Sequence, residues 1–450
     1  MDKIRQSTDY FDERRWACPG FYRMLMSKDG GLCRIKLSFG QITSKQIKGI
    51  AKVAEEFGNK KIEITNRANI QLRGLDKENY KKIIHALDLL GLGPLTPKSD
   101  DIRNVMLAPT AGIDPDMHVD TLPLGNTLLH LLQTNEQFQN LSPKFSFLIN
   151  AGEKTAIDYH KADIWFSFHK SSTKINFGFA SCSDFLKKDE NALGSIALED
   201  FVKFVKSCLN TFIAQQALMP EITRMKHIEQ TMGFKTYLGE IKKFFPCNIH
   251  APIPLDKVFS LDEALIGIFQ QYNPDLYYVG ANTHLGVLTV DQIYALSRIL
   301  DYQNKHTRLR LTPRKGLIFS NLTLNEAKQI QSEFNDLGFC VSNSEPSAQI
   351  ICCAGAPACH SGVSNVHRDS QILINELENT KIPKIHLTAC EKACVANKAY
   401  PYTALAKEDG FYDLFCKDPT IKHKFGKKIA DRLSINQLAV CLKNRHKRHK

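Results

Sequence analysis

The sequence lacks the ~18 consecutive apolar residues that a membrane-spanning helix requires. Its first residues also lack the apolar segment of an export signal, so we expect a cytoplasmic protein with no membrane association. The chain has 13 cysteines, an odd number, in 450 residues. A disulfide framework is typical of short exported chains with an even count, so these cysteines indicate reduced thiols or metal ligands.

The composition is that of a globular protein, with 43% hydrophobic and 24% charged residues. A chain of this length exceeds what one hydrophobic core organises, so about two to four domains are expected. The net charge of +12 favours a polyanionic ligand. Part of that charge is local, because five basic residues stand near the end of the chain: Lys443, Arg445, Lys447, Arg448 and Lys450. We interpret this run as a solvated basic tail, not as a nucleic-acid site.

Two stretches of the chain read alike. Thr43 is followed three residues later by Gln46, and Thr289 is followed by Gln292, at an offset of 246 residues (289 − 43). Each pair is a capping box, in which threonine and glutamine bond each other's backbone amides and so begin a helix. Alternating segments at 61–67 and 309–314 follow the helices and predict strands with one buried face. The shared order indicates a duplicated α+β chain, with four lobes in the order A, B, A′, B′.

The strongest chemical signal is Cys353-Ala-Gly-Ala-Pro-Ala-Cys359 followed by Cys390-Glu-Lys-Ala-Cys394. Each pair is close enough to reach one metal centre, and four thiolates complete the ligation of a cubane iron-sulfur cluster. Gly355 and Pro357 suit a loop that turns sharply around such a cluster.

Two alternatives remain open for these cysteines. A structural zinc site is one, although zinc pairs usually have two to four intervening residues and the first pair here has five. Burial as small apolar side chains is the other, and Cys352 cannot be separated from Cys353 by spacing. We assign burial to the remaining cysteines, which are Cys18, Cys33, Cys182, Cys208, Cys247, Cys340, Cys416 and Cys441.

The cysteine spacing, late in a chain of two similar halves, resembles the sirohaem-dependent sulfite and nitrite reductases and their relative precorrin-3B synthase. The resemblance covers most of residues 17–415. Its most specific motifs are Ala17-Cys-Pro-Gly20, Gly30-Gly-Leu-Cys-Arg34, the segment 65–74, Arg103-Asn-Val-Met106, Pro143-Lys-Phe145 and the cysteine block.

The resemblance implies an α+β, duplicated nitrite/sulfite reductase-like architecture. Two ferredoxin-like half-domains and two α/β lobes that bind the cluster and a tetrapyrrole would be related by a pseudo-two-fold. The expected divisions are 15–90 for half-domain 1, 100–245 for lobe 1, 246–316 for half-domain 2, 317–420 for lobe 2 with the 4Fe-4S cysteines, and 421–450 for a basic extension.

Within this superfamily, the sequence is more similar to precorrin-3B synthase. The reductases carry an anion-binding set that corresponds to Arg67, Arg103 and Lys144, which are our candidate catalytic residues, and to a second lysine where Ser146 stands. Loss of that cation weakens the case for reducing sulfite or nitrite, because several positive groups must stabilise a small oxyanion. Ala354 and Glu391 also depart from the usual cysteine block, so the cluster's potential is expected to differ.

The resemblance then implies O2-dependent hydroxylation of precorrin-3A with lactone formation, on the aerobic route to cobalamin. The implied cofactors are a 4Fe-4S cluster and a non-haem iron, with sirohaem in the reductase alternative. A precorrin carries many carboxylates, and Arg34 and Arg73 are predicted to help bind it. No G-x-G-x-x-G motif follows a strand, so an external ferredoxin or NAD(P)H-dependent reductase is expected to supply electrons.

The ligands of a second iron cannot be chosen from the sequence, because no pair of histidines stands with a carboxylate in a facial-triad pattern. The candidates are His118, His130, His160, His169, His284, His360 and His367. Two rival functions remain: a sirohaem-dependent sulfite or nitrite reductase, and a non-catalytic iron-sulfur or zinc protein that binds nucleic acid through its basic tail.

Overall fold

The computed structural model describes most of the chain. The described residues are 18–170, 173–182, 191–246, 248–254, 263–302, 308–378, 380, 382–396, 400–418, 420–421 and 423–447. Cys247, Arg448 and Lys450, which were named above, lie outside them. Among the described residues, no helix has both the length and the apolar character needed to cross a membrane.

The first half-domain is an antiparallel sheet covered by helices. Its elements are the strands β1 (Leu25–Ser27), β2 (Gly30–Ile35), β3 (Gln41–Ile42), β4 (Lys61–Ile64) and β5 (Ile70–Leu75), with the helices α1 (Ser44–Phe57) and α2 (Tyr80–Asp88). The predicted capping box begins α1, because the Gln46 amide donates to Thr43 Oγ1 and the Thr43 amide donates to Gln46 Oε1. The helix ends at Gly58, as predicted.

The first lobe has parallel strands at one side of its sheet and antiparallel strands at the other. Its elements are β6 (Val105–Leu107), α3 (Leu122–Thr134), β7 (Phe147–Asn150), β8 (Ala162–Phe168), β9 (Lys174–Ser181), β10 (Gly194–Ala197), α4 (Phe201–Leu218), α5 (Met225–Thr231) and α6 (Phe234–Phe244). The strand order follows the chain, and β6, β7 and β8 are parallel. Helix α4 buries a phenylalanine-rich face in the core of this lobe, and α6 buries Tyr237 and Ile241 in the same core.

The second half-domain repeats the first. Its elements are β11 (Gly267–Gln270), β12 (Tyr277–Asn282), β13 (Val287–Thr289), α7 (Val290–Tyr302), β14 (Arg308–Leu311), β15 (Gly316–Leu322) and α8 (Leu324–Asp336). The expected boundary at residue 316 is too early, because β15 lies inside this sheet and α8 packs on it. The predicted boundary fell at a Pro-Arg-Lys-Gly turn. This turn does not end the half-domain, because it joins two neighbouring strands of the sheet.

The second lobe repeats the strand order of the first lobe. Its elements are α9 (Pro346–Gln349), β16 (Ile350–Cys352), α10 (Val366–Glu376), β17 (Ile385–Thr388), β18 (Tyr402–Glu408), β19 (Phe411–Cys416), β20 (Lys427–Ser434) and α11 (Ile435–Lys447). Strands β16, β17 and β18 are parallel, and β19 and β20 complete the sheet antiparallel.

The expected basic extension after residue 420 is part of this lobe. Strand β20 pairs with β19, and α11 buries Ile435, Leu438, Ala439 and Leu442 in the lobe's core. The i, i+3, i+4, i+7 spacing of these four residues was obscured by the basic residues around them. Helix α11 does begin at the predicted cap, since the Gln437 amide donates to Ser434 Oγ.

The two half-domains exchange strands. Strand β13 of the second half pairs with β4 of the first, and β3 of the first half pairs with β14 of the second. Helices α1 and α7 pack together, and the buried residues of both halves form one continuous core. The backbone repeats in detail, because Ala68 (φ 55°) and Lys315 (φ 64°) adopt the same left-handed conformation at equivalent turns. The duplication and the two-fold layout are thereby confirmed.

Candidate functional site

The four predicted cluster ligands lie on two loops at one edge of the second lobe's sheet. Cys353 directly follows β16, and Cys390 is the second residue after β17. Because β16 and β17 are adjacent and parallel, the loops at their carboxyl ends lie side by side. The strand order of the sheet therefore brings the pair Cys353 and Cys359 next to the pair Cys390 and Cys394.

Backbone bonds hold the two loops together. The Val363 amide donates to the Ala389 carbonyl at 3.0 Å, and the Ala389 amide donates to Cys353 Sγ at 3.3 Å. An amide that donates to sulfur stabilises a thiolate. Gly355 has a φ of 61°, and a Cβ there would lie 2.6 Å from a methyl group of Val366. Glycine is required for this turn of the first loop.

The pKa of Cys394 responds to the charges of the other three predicted ligands. The pKa of Cys394 is raised, first by burial and then by the charges of Cys390, Cys353 and Cys359. Across the described residues, no group of three or more His, Cys, Asp or Glu side chains is compact enough to hold one metal ion. Four thiolates on one zinc would lie ~3.8 Å apart, since each bond is ~2.3 Å long. A cubane spaces its thiolates further apart, because each binds a different iron, and the ligation of a cluster by these four cysteines stays a prediction.

The structure separates Cys352 from its neighbour Cys353. Cys352 is fully buried in the lobe's core, where burial raises the pKa of its thiol to about 11. Cys353 is half-buried and faces the second loop through its bond from Ala389. Cys353 is therefore the one that could serve as a cluster ligand.

A cavity of about 610 Å³ adjoins the second cysteine loop and reaches Cys394. Its walls come from the first half-domain, the first lobe and that loop. Seven basic residues line it: Arg34, Lys36, Arg67, Lys144, Lys161, Arg224 and Lys226. Among the described residues that line the cavity, Asp163 is the acidic one. So large an excess of positive charge suits an anionic ligand with several carboxylates.

Three of the predicted site residues lie in this cavity. Arg67 donates from Nε to His160 Nε2 at 3.3 Å, and burial lowers the pKa of its guanidinium to about 10. Arg34 donates from Nε and Nη2 to Gln71 Oε1 at 3.1 and 2.6 Å, and burial lowers its pKa. Lys144 lines the same cavity. Asn66, beside Arg67, donates to the Cys394 carbonyl at 3.2 Å and so ties this wall to the cysteine loop.

Arg103 was predicted to join this group, and the structure places it elsewhere. Its Nη2 pairs with Asp100 at 3.2 Å and also donates to the Leu92 carbonyl. It does not line the cavity within the described part of the chain. The buried Asp100, three residues earlier, holds the guanidinium outside the cavity lining.

Arg73 was also expected in the cavity, but it lies behind the first cysteine loop. Its guanidinium pairs with Asp29 at 2.8 Å and donates to the Ala358 carbonyl at 2.8 Å. Arg73 lies two residues after Gln71, the partner of Arg34, and this further position along β5 places its guanidinium at the first cysteine loop. Arg73 therefore holds the cysteine loop in place.

Several cavity residues were missed by sequence reasoning. Lys36 donates from Nζ to the carbonyls of Asp100 and Asp101 at 2.7 and 2.9 Å, and burial lowers its pKa to about 8. Its spacing of two residues from Arg34 was a usable signal, because alternate residues of an extended chain share a face. Arg224 pairs with Asp163 at 2.8 Å, and no sequence pattern joins residues so far apart.

Of the seven histidines that are candidate iron ligands, His160 lines the cavity in the described structure. Burial, followed by the charges of Arg67 and Arg224, lowers its pKa to about 3. Its imidazole is therefore neutral and accepts the bond from Arg67. The prediction of a second, non-haem iron stays a prediction.

Comparisons with known proteins agree with this architecture. The family model "Nitrite/Sulfite reductase ferredoxin-like half domain" matches residues 26–90 and 269–337, and "Nitrite and sulphite reductase 4Fe-4S domain" matches residues 98–249. The chain belongs to the nitrite/sulfite reductase superfamily. It is an iron-sulfur oxidoreductase of the nitrite/sulfite reductase type. The match to the 4Fe-4S domain covers the first lobe of this superfamily member. The four cysteines lie in the second lobe, which repeats the strand order of the first lobe.

Relatives within the superfamily carry two different names. Ferredoxin–nitrite reductase of Spinacia oleracea is 25% identical over 416 residues, covering 88% of this chain and 69% of that protein. The Leptolyngbya laminosa ferredoxin–nitrite reductase is 26% identical and covers 86% and 78%. Precorrin-3B synthase of Sinorhizobium sp is 25% identical over 407 residues and covers 88% and 82%. The Mycobacterium tuberculosis NirA structure covers 91% of this chain and 79% of that one, with a TM-score of 0.74 at 15% identity, and confirms the fold.

Proposed function

We propose that this protein converts precorrin-3A to precorrin-3B, by O2-dependent hydroxylation and lactone formation. The observation that carries the proposal is the distribution of cations in the cavity. Of the four positions that correspond to the reductases' anion-binding set, Arg67 and Lys144 line the cavity in the described structure, whereas Arg103 pairs with Asp100 outside the cavity lining. Ser146 is fully buried and bonds Asp163 through its amide at 2.9 Å.

The anion-binding set of the reductases is incomplete in this chain, but other basic residues bring positive charge to the same cavity. Lys36, Lys161, Arg224 and Lys226 spread positive groups around a volume of about 610 Å³. A small oxyanion needs its donors at one point, whereas a macrocycle with peripheral carboxylates needs them spread around a rim. The cavity therefore supports a polycarboxylated tetrapyrrole as its ligand, which is the substrate in this proposal.

The proposed ligands of the cluster are Cys353, Cys359, Cys390 and Cys394. When bound, the cluster supplies electrons one at a time beside the cavity that Cys394 reaches. The reaction inserts one oxygen atom of O2 into the substrate and releases the other as water, which requires two electrons and two protons. An external ferredoxin or NAD(P)H-dependent reductase would deliver the electrons. Arg34, Arg67 and Lys144 bind and orient the substrate in this scheme.

The test uses anaerobically reconstituted protein with precorrin-3A, a reductant and O2. We expect a product heavier by one oxygen atom, identified as the hydroxylated lactone by mass spectrometry and NMR. The Cys352→Ala and Cys353→Ala variants serve as a matched pair, since one keeps and the other loses a proposed ligand. Absence of product from cluster-loaded protein that binds the substrate would reject the proposal.

A second candidate is a sirohaem-dependent nitrite reductase, which the names of the spinach and Leptolyngbya relatives favour. Purified protein would then show a sirohaem absorption band and consume nitrite with reduced ferredoxin. The structure adds no support to the nucleic-acid alternative, because residues 435–442 of the expected tail form a helix packed into the core of the second lobe.

A further inference from the structure

Two guanidinium groups in the cavity are anchored in the same way. Arg67 is held through Nε by His160, and Arg224 is held through Nε by Asp163 Oδ1 at 2.8 Å and Oδ2 at 2.9 Å. The anchoring bond uses the inner nitrogen of each group. The terminal nitrogens form the fork that matches a carboxylate, and both residues line the cavity. Arg67 Nη2 also makes a long bond of 3.5 Å to the Lys144 carbonyl.

The anchor of Arg224 is rigid. Asp163 lies in β8 and is 1% exposed. Besides Arg224, its carboxylate accepts the Met225 amide at 2.9 Å and the Ser146 amide at 2.9 Å. Donors from two segments, the adjacent residues Arg224 and Met225 and the distant Ser146, fix this carboxylate, so the direction of the Arg224 side chain is set before any ligand arrives.

The charges around these two groups are not balanced. Asp163 offsets one guanidinium, and among the described residues no carboxylate forms an ion pair with Arg67. His160 is neutral and contributes only an acceptor. Burial lowers the pKa of the Arg67 guanidinium most, and the charges of Arg224 and Arg34 lower it further. A site with two adjacent guanidiniums and one carboxylate is completed by a second carboxylate from a ligand.

We propose that Arg224 and Arg67 together clamp one peripheral carboxylate of the tetrapyrrole, with Asp163 and His160 as positioning residues. The inference rests on the proposed function and assigns a binding role to Arg224. The clamp fixes the orientation of the macrocycle above Cys394, because a carboxylate held by two forks cannot rotate freely. Specificity for a polycarboxylated ring therefore depends on the Asp163–Arg224 pair.

The test measures binding of uroporphyrin III, a stable polycarboxylated porphyrin, to the full chain by fluorescence titration. We expect Arg224→Gln to raise the dissociation constant roughly 10-fold to 100-fold, the range for losing a charge-assisted bond. Arg224→Lys keeps the charge but not the fork, so an intermediate loss is expected. Lys235→Gln is the matched control, because Lys235 is exposed in α6 of the same lobe and does not line the cavity.

A double-mutant cycle tests the positioning role of Asp163. Asp163→Asn should weaken binding on its own and add little once Arg224 is Gln, because both changes act through the same guanidinium. If the wild-type protein binds no uroporphyrin III, the proposed function fails. If the wild type binds and both Arg224 variants stay within twofold of it, the clamp is wrong and the proposed function stands. Melting temperatures confirm folding, and Arg224→Lys decides the outcome if Arg224→Gln does not fold.

Discussion

Arg73 and Ala358 connect the first half-domain to the cluster loop across 285 residues of sequence. The guanidinium of Arg73 donates to the Ala358 carbonyl at 2.8 Å, one residue before Cys359. Ser27 donates to the same carbonyl at 2.6 Å, and Asp29 holds the guanidinium from its other side. The position of Cys359 therefore depends on a strand of a different domain.

Replacing Arg73 with Gln should loosen the cluster without altering the cavity. The change leaves Asp29 without its cation and frees the Ala358 carbonyl, so we expect a loss of about 2 to 4 kcal/mol of stability. Iron release to a chelator should be faster, while affinity for uroporphyrin III stays near the wild-type value. Lys77→Gln, an exposed cation of the same half-domain, is the control. Unchanged iron release would show that the contact does not hold the loop.

The adjacent cysteines Cys352 and Cys353 offer a matched test of ligation. We expect Cys353→Ala to remove the cluster, seen as loss of iron, sulfide and visible absorption. Cys352→Ala removes only a buried sulfur, at a cost of about 1 kcal/mol, and should keep the cluster. The reverse result would place the ligand at 352 and would require β16 to end one residue earlier.

The duplication was readable from the sequence because its signals are local. Thr43 with Gln46 and Thr289 with Gln292 each form a capping box within four residues, and the structure shows both sets of bonds. The four cysteines were readable as a group for a similar reason, since each pair lies within one loop.

The cavity could be predicted only in part. Arg34, Arg67 and Lys144 were found through motifs, but side-chain direction depends on partners that no motif contains. Asp100 turns Arg103 away, and Asp29 holds Arg73 behind the loop. The pairing of Asp163 with Arg224 joins a strand to a helix cap 61 residues later, so it becomes visible only in three dimensions.

The first lobe contains a buried carboxylate at the position that corresponds to the second cysteine loop. Glu153 follows β7, as Cys390 follows β17, and its Oε2 accepts the Ala151 amide at 2.6 Å. Its other oxygen has no partner among the described residues. Burial raises the pKa of Glu153 from 4.5 to about 8, with Asp114 and Asp120 adding to the shift.

Glu153 should make the protein less stable as the pH rises. The folded state holds a proton that the unfolded state loses at about 4.5, so this contribution is fully present below that pH and is lost as the pH rises towards about 8. We expect a decline of a few kcal/mol across this window in denaturant titrations. Glu153→Gln, which cannot ionise, should remove the decline. Parallel curves for the two proteins would contradict the assignment.

Lys36 should make tetrapyrrole binding depend on pH. Its pKa is lowered to about 8 by burial, although Asp100 and Asp101 oppose that shift. A bound carboxylate would raise this pKa, so the complex holds a proton that the free protein loses above about pH 8. Affinity for uroporphyrin III should therefore be level below pH 8 and fall several-fold by about pH 9.5.

The Lys36→Gln variant isolates this effect. It should bind more weakly than the wild type at pH 7 and lose the decline above pH 8, because the titrating group is gone. Lys235→Gln should keep the wild-type profile, since its charge lies outside the cavity. The free energy of unfolding provides an independent check. The unfolded chain keeps the Lys36 proton up to about pH 10.5, whereas the folded protein loses it at about pH 8. The contribution of Lys36 to wild-type stability should therefore rise between pH 8 and 10.5. A decline in affinity that persists in Lys36→Gln would assign the titration to another group.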